Sequence, residues 1–284
     1  MAGVIAGSNY ALLAVGYTLV YGVLGFINFA HGDVAMVGAY LTLLLSVSAG
    51  LPIPAAIGVA MLATAALGVG IERLAYRPLR RAHRLAPLIS AIAVSLALES
   101  AALLLWGAEV RTFRLPVSIG WQVGPALITP VQVAILATAV AAMVALQLLL
   151  TRTRLGTAIR ATADNLPVAQ VVGINTNRVI AAVFALGSAM AALAAALLAL
   201  EANLHPTLGV VMGIKAFAAV VLGGIGSVPG ALAGGFVIGL AENLGVWYIP
   251  PVWKDAIAYA VLVGMLVARP QGLFGRREAA APKL

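Results

Sequence analysis

The chain has 284 residues, of which 63% are hydrophobic and only 9% charged, and 17 Lys and Arg outweigh 9 Asp and Glu for a formal net charge of +8. A water-soluble domain needs far more charge to cover its surface, so the composition excludes one and requires an integral membrane protein. No alternating segments of about ten residues mark a transmembrane β-barrel, which leaves an all-α, polytopic membrane helical bundle.

The first apolar run, 2–25, has no Lys or Arg ahead of it. It lacks the basic region of a cleavable signal and is expected to stay in the membrane. It leads into "FINFAHGD", residues 26–33. Between Met1 and Ile71, Asp33 is the only charged side chain and His31 the only imidazole. Runs 34–50 and 53–72 come next. "RLAYRPLRRAHRL" then gathers Arg73, Arg77, Arg80, Arg81 and Arg84 in one loop. Run 87–107 is followed by a loop, 108–129, containing Glu109, Arg111, Arg114, Pro116, Trp121 and Pro125, and by run 130–151. Segment 152–178 holds Arg152, Arg154, Arg160 and Arg178 against one acid, Asp164. Runs 179–200, 229–248 and 253–269 complete the series, and the tail adds Arg269, Arg276, Arg277 and Lys283.

These make eight spans of about the 20 residues a bilayer requires, or nine if the shorter run 213–225 crosses as well. The basic excess lies in loops, where the positive-inside rule accounts for it more simply than nucleic acid does. The three Arg-rich segments, including the C-terminus, are therefore assigned to the cytoplasm and loop 108–129 to the outside. The side of the N-terminus depends on 213–225 and stays open.

"LGGIGSVPGALAGGFVIGL" places Gly226, Gly230 and Gly234 at four-residue spacing, then Gly235 and Gly239. Small residues so spaced let helix backbones approach closely. Gly223, Gly224 and Gly226 disfavour continuous helix, and Pro229 removes a backbone donor, favouring a break or kink. A broken helix followed by a tightly packed one is expected; an ordinary loop plus a packing face is the plainer alternative. The stretch "GVLGFINFAHGDVAMVGAY" is loosely similar. It hints at two halves with discontinuous helices, as transporters built from repeats show.

Enzyme readings lack partners. There is no G-x-x-x-x-G-K-[ST] for a nucleotide, no H-E-x-x-H and no Cys. His31, His83 and His205 fall in separate segments, and so do Asp33, Asp164 and Asp255. Acids inside spans are costly and usually face a polar interior. Glu99, near Ser95 and Ser100, and Glu242, beside Asn243, either line a translocation path or bridge helices. Glu201 and Lys254-Asp255 read as interfacial, and Trp106, Trp247, Tyr248 and Trp253 as an aromatic belt.

"TRTRLGTAIRATADNLPVAQVVGINTNRV", residues 151–179, is long for a bundle connection. Asp164-Asn165 can cap a short helix with Pro167 in its first turn, and Ala169 and Gly173 then stand one turn apart on one face. A short, small-faced helix at the cytoplasmic surface would suit another protein's groove.

On four stretches the chain resembles the permeases of branched-chain amino-acid ABC importers, specifically the smaller of the two permease subunits. They are "YALLAVGYTLVYGVLGFINFAHGDVAMVGAY" (10–40), "GTAIRATADNLPVAQVVGINTNRV" (156–179), "VVLGGIGSVPGALAGG" (220–235) and "AYAVLVGMLVARPQGLFG" (258–275). The resemblance implies one transmembrane permease domain over 1–284, in a bacterial inner membrane, that forms a pore with a second, homologous permease. Two cytoplasmic ABC ATPase subunits would hold ATP and Mg and drive it, this chain binding no cofactor and being no enzyme. An external solute-binding protein would deliver leucine, isoleucine or valine; urea, amides or other amino acids are the alternatives within the family. An ATP-independent channel or ion-coupled carrier is the alternative outside it.

The resemblance further implies a coupling segment, 152–178, that docks on the ATPase, with candidate residues Gly156, Arg160, Ala161, Asp164, Asn165, Ala169, Gly173 and Ile174. Ala169 to Gly173 matches the family's Ala-x-x-x-Gly; Pro167-Val168 replaces the Glu-Ala that often precedes it. Candidates for the translocation path or its helix breaks are Asn28, His31, Gly32, Asp33, Glu99, Gly224, Gly226, Pro229, Gly230 and Glu242. For Asp33 the expected role is a cap on a helix beginning at Val34, with Gly32 supplying the bend, near the path. His31 has no assigned role.

Overall fold

A computed structural model describes residues 1–80, 82–83, 85–113, 120–123 and 126–275. Arg81, Arg84, Arg114, Pro116, Pro125, Arg276, Arg277 and Lys283 lie outside the described residues. The elements run α1 (Ala2–Leu24), α2 (His31–Val47), α3 (Ile53–Ile71), a π-helical turn (Glu72–Tyr76) and a 3-10 turn (Arg77–Leu79), then α4 (Leu85–Trp106). After α4 come a short antiparallel hairpin, β1 (Trp121–Val123) with β2 (Ala126–Ile128), and α5 (Pro130–Arg152). The remaining helices are α6 (Arg154–Asp164), α7 (Leu166–Val171), α8 (Thr176–Ala199), α9 (Leu208–Gly223), α10 (Val228–Gly245) and α11 (Lys254–Ala268).

Seven helical stretches among the described residues are long and apolar enough to cross a membrane, and α2 and α9 are shorter apolar helices. The run 213–225 is thus the C-terminal part of α9, which begins earlier than its apolar run. At 16 residues, α9 extends roughly 24 Å, less than the roughly 30 Å of a bilayer core. The bundle is polytopic and helical as expected, and α9 is short as its run suggested; the shortness of α2 and the hairpin were not anticipated.

Local chemistry sets the boundaries. Gly25, in the left-handed region at φ 68°, ends α1. Thr129 and Gln132 form a reciprocal capping box ahead of α5, with Pro130 in its first turn. The expected break before α10 is present: Gly224 and Gly226 adopt φ of 105° and 87°. Pro229, however, does not kink a helix. Ser227 caps α10 by accepting from the Gly230 N–H, and Pro229 sits in the first turn, where its missing donor costs nothing.

Helix α1 is the buried axis of the bundle, and α10 packs along it in the opposite direction. A Cβ on Gly235 would lie 2.4 Å from Ala11 Cα, and one on Gly239 would lie 2.2 Å from Gly7 N. Gly230 and Gly234 instead face α9, against Gly223 and Ala219. The glycine run is therefore two packing faces, and Gly226 belongs to the turn ahead of them. By contrast α4 and α11 are largely exposed, leaving apolar faces for lipid or a partner.

The same packing sorts the loops. One end of the bundle gathers the end of α1, the turns at 72–80, α6, α7 and the residues after α11; the other gathers Met1, the α2–α3 connection and the α10–α11 connection. At this second end Arg111 and Leu204 pair through both backbone groups.

Candidate functional site

The charged stretch at 31–33 folds differently from its expected form. Helix α2 begins at His31, its N-cap is Ala30, and no side chain caps it. Asp33 is consequently no cap, and Gly32 makes no bend; the break lies earlier, at 25–30. Asp33 is fully buried within the first turn and accepts a hydrogen bond from the Ser95 hydroxyl of α4. Gly32 lets α2 meet α9 backbone to backbone. A Cβ there would lie 2.0 Å from Gly209 O, and a Cβ on Gly209 would lie 2.3 Å from Asp33 Oδ1.

The opening turns of two short helices thus converge on one buried carboxylate. Unpaired N–H groups at helix starts carry partial positive charge, which favours an anion there. His31 lies in a notch made by Gly16 and stands edge-on to Tyr17, with ring centroids 5.1 Å apart. Asp33 Oδ1 and His31 Nε2 are buried with no hydrogen-bond partner among the described residues. Glu99, one turn beyond Ser95 on α4, is half-buried and lies on the same helix face. Asn28, in the break, accepts a 2.7 Å bond from the Tyr76 hydroxyl. The structure therefore brings His31, Gly32 and Asp33 together near Ser95 and Glu99, directly after the break that holds Asn28.

Glu242 belongs to a different group. Lys215 of α9 bridges Glu242 Oε1 of α10 at 2.9 Å and Asp255 Oδ1 of α11 at 2.6 Å. The Tyr10 hydroxyl of α1 donates to Glu242 Oε2 at 2.9 Å and accepts from Lys215 Nζ at 3.2 Å. Four helices are fastened by one buried cation, so Glu242 bridges helices and is not placed with Asp33. Asp255, read as interfacial, is half-exposed but turned inward onto Lys215. Lys215 was missed, although it is the only charged residue between Ala202 and Ala241. That isolation in an apolar run was the available signal.

The segment after α5 splits into an inward and an outward set. Gly156 is buried against the last carbonyls of α5, and Arg160 donates to the Leu150 carbonyl, which fixes the α5–α6 corner. Ala161 is half-buried, and Asp164 is the exposed last residue of α6. Asn165 caps α7 by accepting from the Val168 N–H at 3.0 Å. The N–H of Gly173 bonds Gln170 O and that of Ile174 bonds Ala169 O, each at 3.0 Å, with Gly173 at φ 86°. That is a Schellman termination. Ala169 and Gly173 therefore do not share a docking face: Ala169 is buried and Gly173 ends the helix. What α7 and its C-cap residue present is Val168, Val171 and Val172, with Val171 87% exposed.

A family model described as "Branched-chain amino acid transport system / permease component" matches residues 1–266. The chain belongs to this family. The permease is 42% identical to the high-affinity branched-chain amino acid transport system permease protein BraD of Pseudomonas aeruginosa, over 97% of this chain and 94% of that protein. It is 43% identical to the LivH permease of the corresponding system in Escherichia coli K12, with the same coverage. Its fold is similar to that of a chain in PsaBC from Streptococcus pneumoniae in complex with Fab, with TM-score 0.51 and 13% identity over 95% of this chain and 91% of that one. The resemblance drawn from four sequence stretches thus holds over 97% of the chain, and the permease is a multi-pass membrane protein.

Proposed function

We propose that this permease forms half of the pore of an ATP-driven importer for branched-chain amino acids in a bacterial inner membrane. A second, homologous permease supplies the other half, a solute-binding protein delivers substrate, and two cytoplasmic ATPases hold ATP and Mg. The chain itself catalyses no reaction. The observation that carries this reading is the arrangement of α6 and α7. They project at the Arg-rich end of the bundle, and α7, closed at both ends by its own caps, shows three exposed valines to the solvent. A short, preorganised apolar helix beside basic residues suits a groove in a water-soluble partner. The Arg-rich end is then cytoplasmic, and the C-terminus with it.

Affinity purification from the native membrane, followed by reconstitution into liposomes, tests the whole reading. The expected result is a second permease and two ATPases in the purified complex, and leucine uptake that requires ATP and the binding protein. Uptake by this chain alone, driven by an ion gradient, would overturn it.

A further inference from the structure

The π-helical turn Glu72–Tyr76 is the point where contacts from α7 and contacts from the α1–α2 break meet. Such turns are rare inside helices and occur often at functional sites. On one side Glu72, almost wholly buried, is ion-paired with Arg80. The other terminal nitrogen of the Arg80 guanidinium donates to Asn177 Oδ1 at 2.8 Å. Asn177 lies in the first turn of α8, and its neighbour Thr176 accepts a 2.9 Å bond from Gln170 Nε2 of α7.

On the other side Tyr76, fully buried, donates to Asn28 and packs its ring against Phe26 and Phe184 at centroid distances of 5.3 and 5.5 Å. Between these, the Ser90 hydroxyl of α4 donates to the Ala75 carbonyl at 3.1 Å. Helix α4 also carries Ser95, the partner of Asp33. Every step from the exposed valines of α7 to the buried carboxylate is therefore a direct side-chain contact or a rigid helical segment.

We infer that this turn transmits displacement of α7 to the break at 25–30 and to Asp33, with Arg80 and Tyr76 as positioning residues. The inference rests on the proposed docking of an ATPase at α7. Coupling between sites is carried by packed and hydrogen-bonded groups that both sites can bias. The Lys215 group, which fastens α1, α9, α10 and α11, shares no residue with this route. It supplies an internal control of similar burial.

The test uses the complete reconstituted complex and reads two quantities together, leucine imported and ATP hydrolysed. Tyr76→Phe removes one hydroxyl, and Arg80→Gln removes one charge. In both variants hydrolysis is expected to continue while leucine imported per ATP falls by roughly fivefold or more, the lower range of typical coupling. Tyr10→Phe, which removes an equally buried hydroxyl from the Lys215 group, should leave that ratio unchanged. A merely structural role predicts uptake and hydrolysis falling together with the yield of folded complex. That result overturns the inference, as does an unchanged ratio, which would put the coupling through the packing of α6 on α1.

Should Arg80→Gln assemble poorly, Arg80→Lys keeps the charge but loses the fork between Glu72 and Asn177, and the same drop in ratio is expected. Hydrogen exchange at residues 25–30 with and without a non-hydrolysable ATP analogue is a second readout, independent of substrate. A nucleotide-dependent change in the native complex that disappears in Tyr76→Phe supports the route; a change that survives there overturns it. If the native complex shows that change but imports no leucine, the substrate assignment fails and the route stands.

Discussion

Asp33 shows what a single buried charge demands. Moving a carboxylate out of water costs several kcal/mol even after relaxation, while one hydrogen bond to a charged group returns about 1.5–3 kcal/mol. The Ser95 hydroxyl alone therefore does not balance it, and the opening turns of α2 and α9 supply the remaining favourable field. That arrangement depends on the two helices touching, which only Gly32 and Gly209 permit. Gly209→Ala is expected to destabilise the permease by about 1–3 kcal/mol, because its methyl would overlap Asp33. Gly58→Ala is the control: a Cβ there meets nothing within 4 Å, and removing a helical glycine stabilises by roughly 0.5–1 kcal/mol. Thermal unfolding in one detergent should move in opposite directions for the two. The position of Asp33 in an apolar stretch was legible in the sequence; its partners Ser95 and Gly209 come from helices far along the chain, which no local pattern specifies.

The elements divide into those that close a helix and those that tie helices together. In α7, Asn165 and Gly173 satisfy the two ends of a helix too short to persist otherwise. The Ala-x-x-x-Gly spacing was legible, but its geometry was not: four residues apart reads as one helix face, whereas left-handed Gly173 ends the helix. Docking should therefore depend on the valines. Val171→Asp is expected to abolish co-purification of the ATPases, with unchanged insertion and yield of the permease; retained ATPase would show that α7 is not the docking surface.

The Lys215 group ties helices. Lys215→Met leaves Glu242 buried without its cation and should cost about 3–5 kcal/mol. Adding Glu242→Gln should restore most of that, and Tyr10→Phe alone should cost only about 1 kcal/mol. Equal melting temperatures for Lys215→Met and the double variant would refute the pairing. The two acids were singled out in the sequence and Lys215 was not; their convergence depends on α1, α9 and α10 packing on one another.

At the scale of the molecule, composition and run length were enough to specify a helical bundle, since membrane helices satisfy their own backbone. They were not enough to show that α2 is short or whether the short run in α9 crosses, because an apolar run looks the same whether or not it spans. That same ambiguity left the N-terminus without a side, and packing resolves the relative placement. Helix α10 runs antiparallel to α1, with Gly239 beside Gly7 and Gly235 beside Ala11, so Met1 lies at the end opposite α6 and α7. If the Arg-rich end faces the cytoplasm, the N-terminus faces outward.

The absence of native cysteine makes a direct test simple, because any introduced thiol is the only one in the chain. Ser48→Cys and Thr112→Cys lie exposed at the Met1 end, and Thr157→Cys lies exposed on α6. In intact spheroplasts a membrane-impermeant maleimide should label the first two and spare the third until the membrane is opened. Labelling of Thr157→Cys alone in sealed cells would invert the topology, and would place α7 where no cytoplasmic ATPase could reach it.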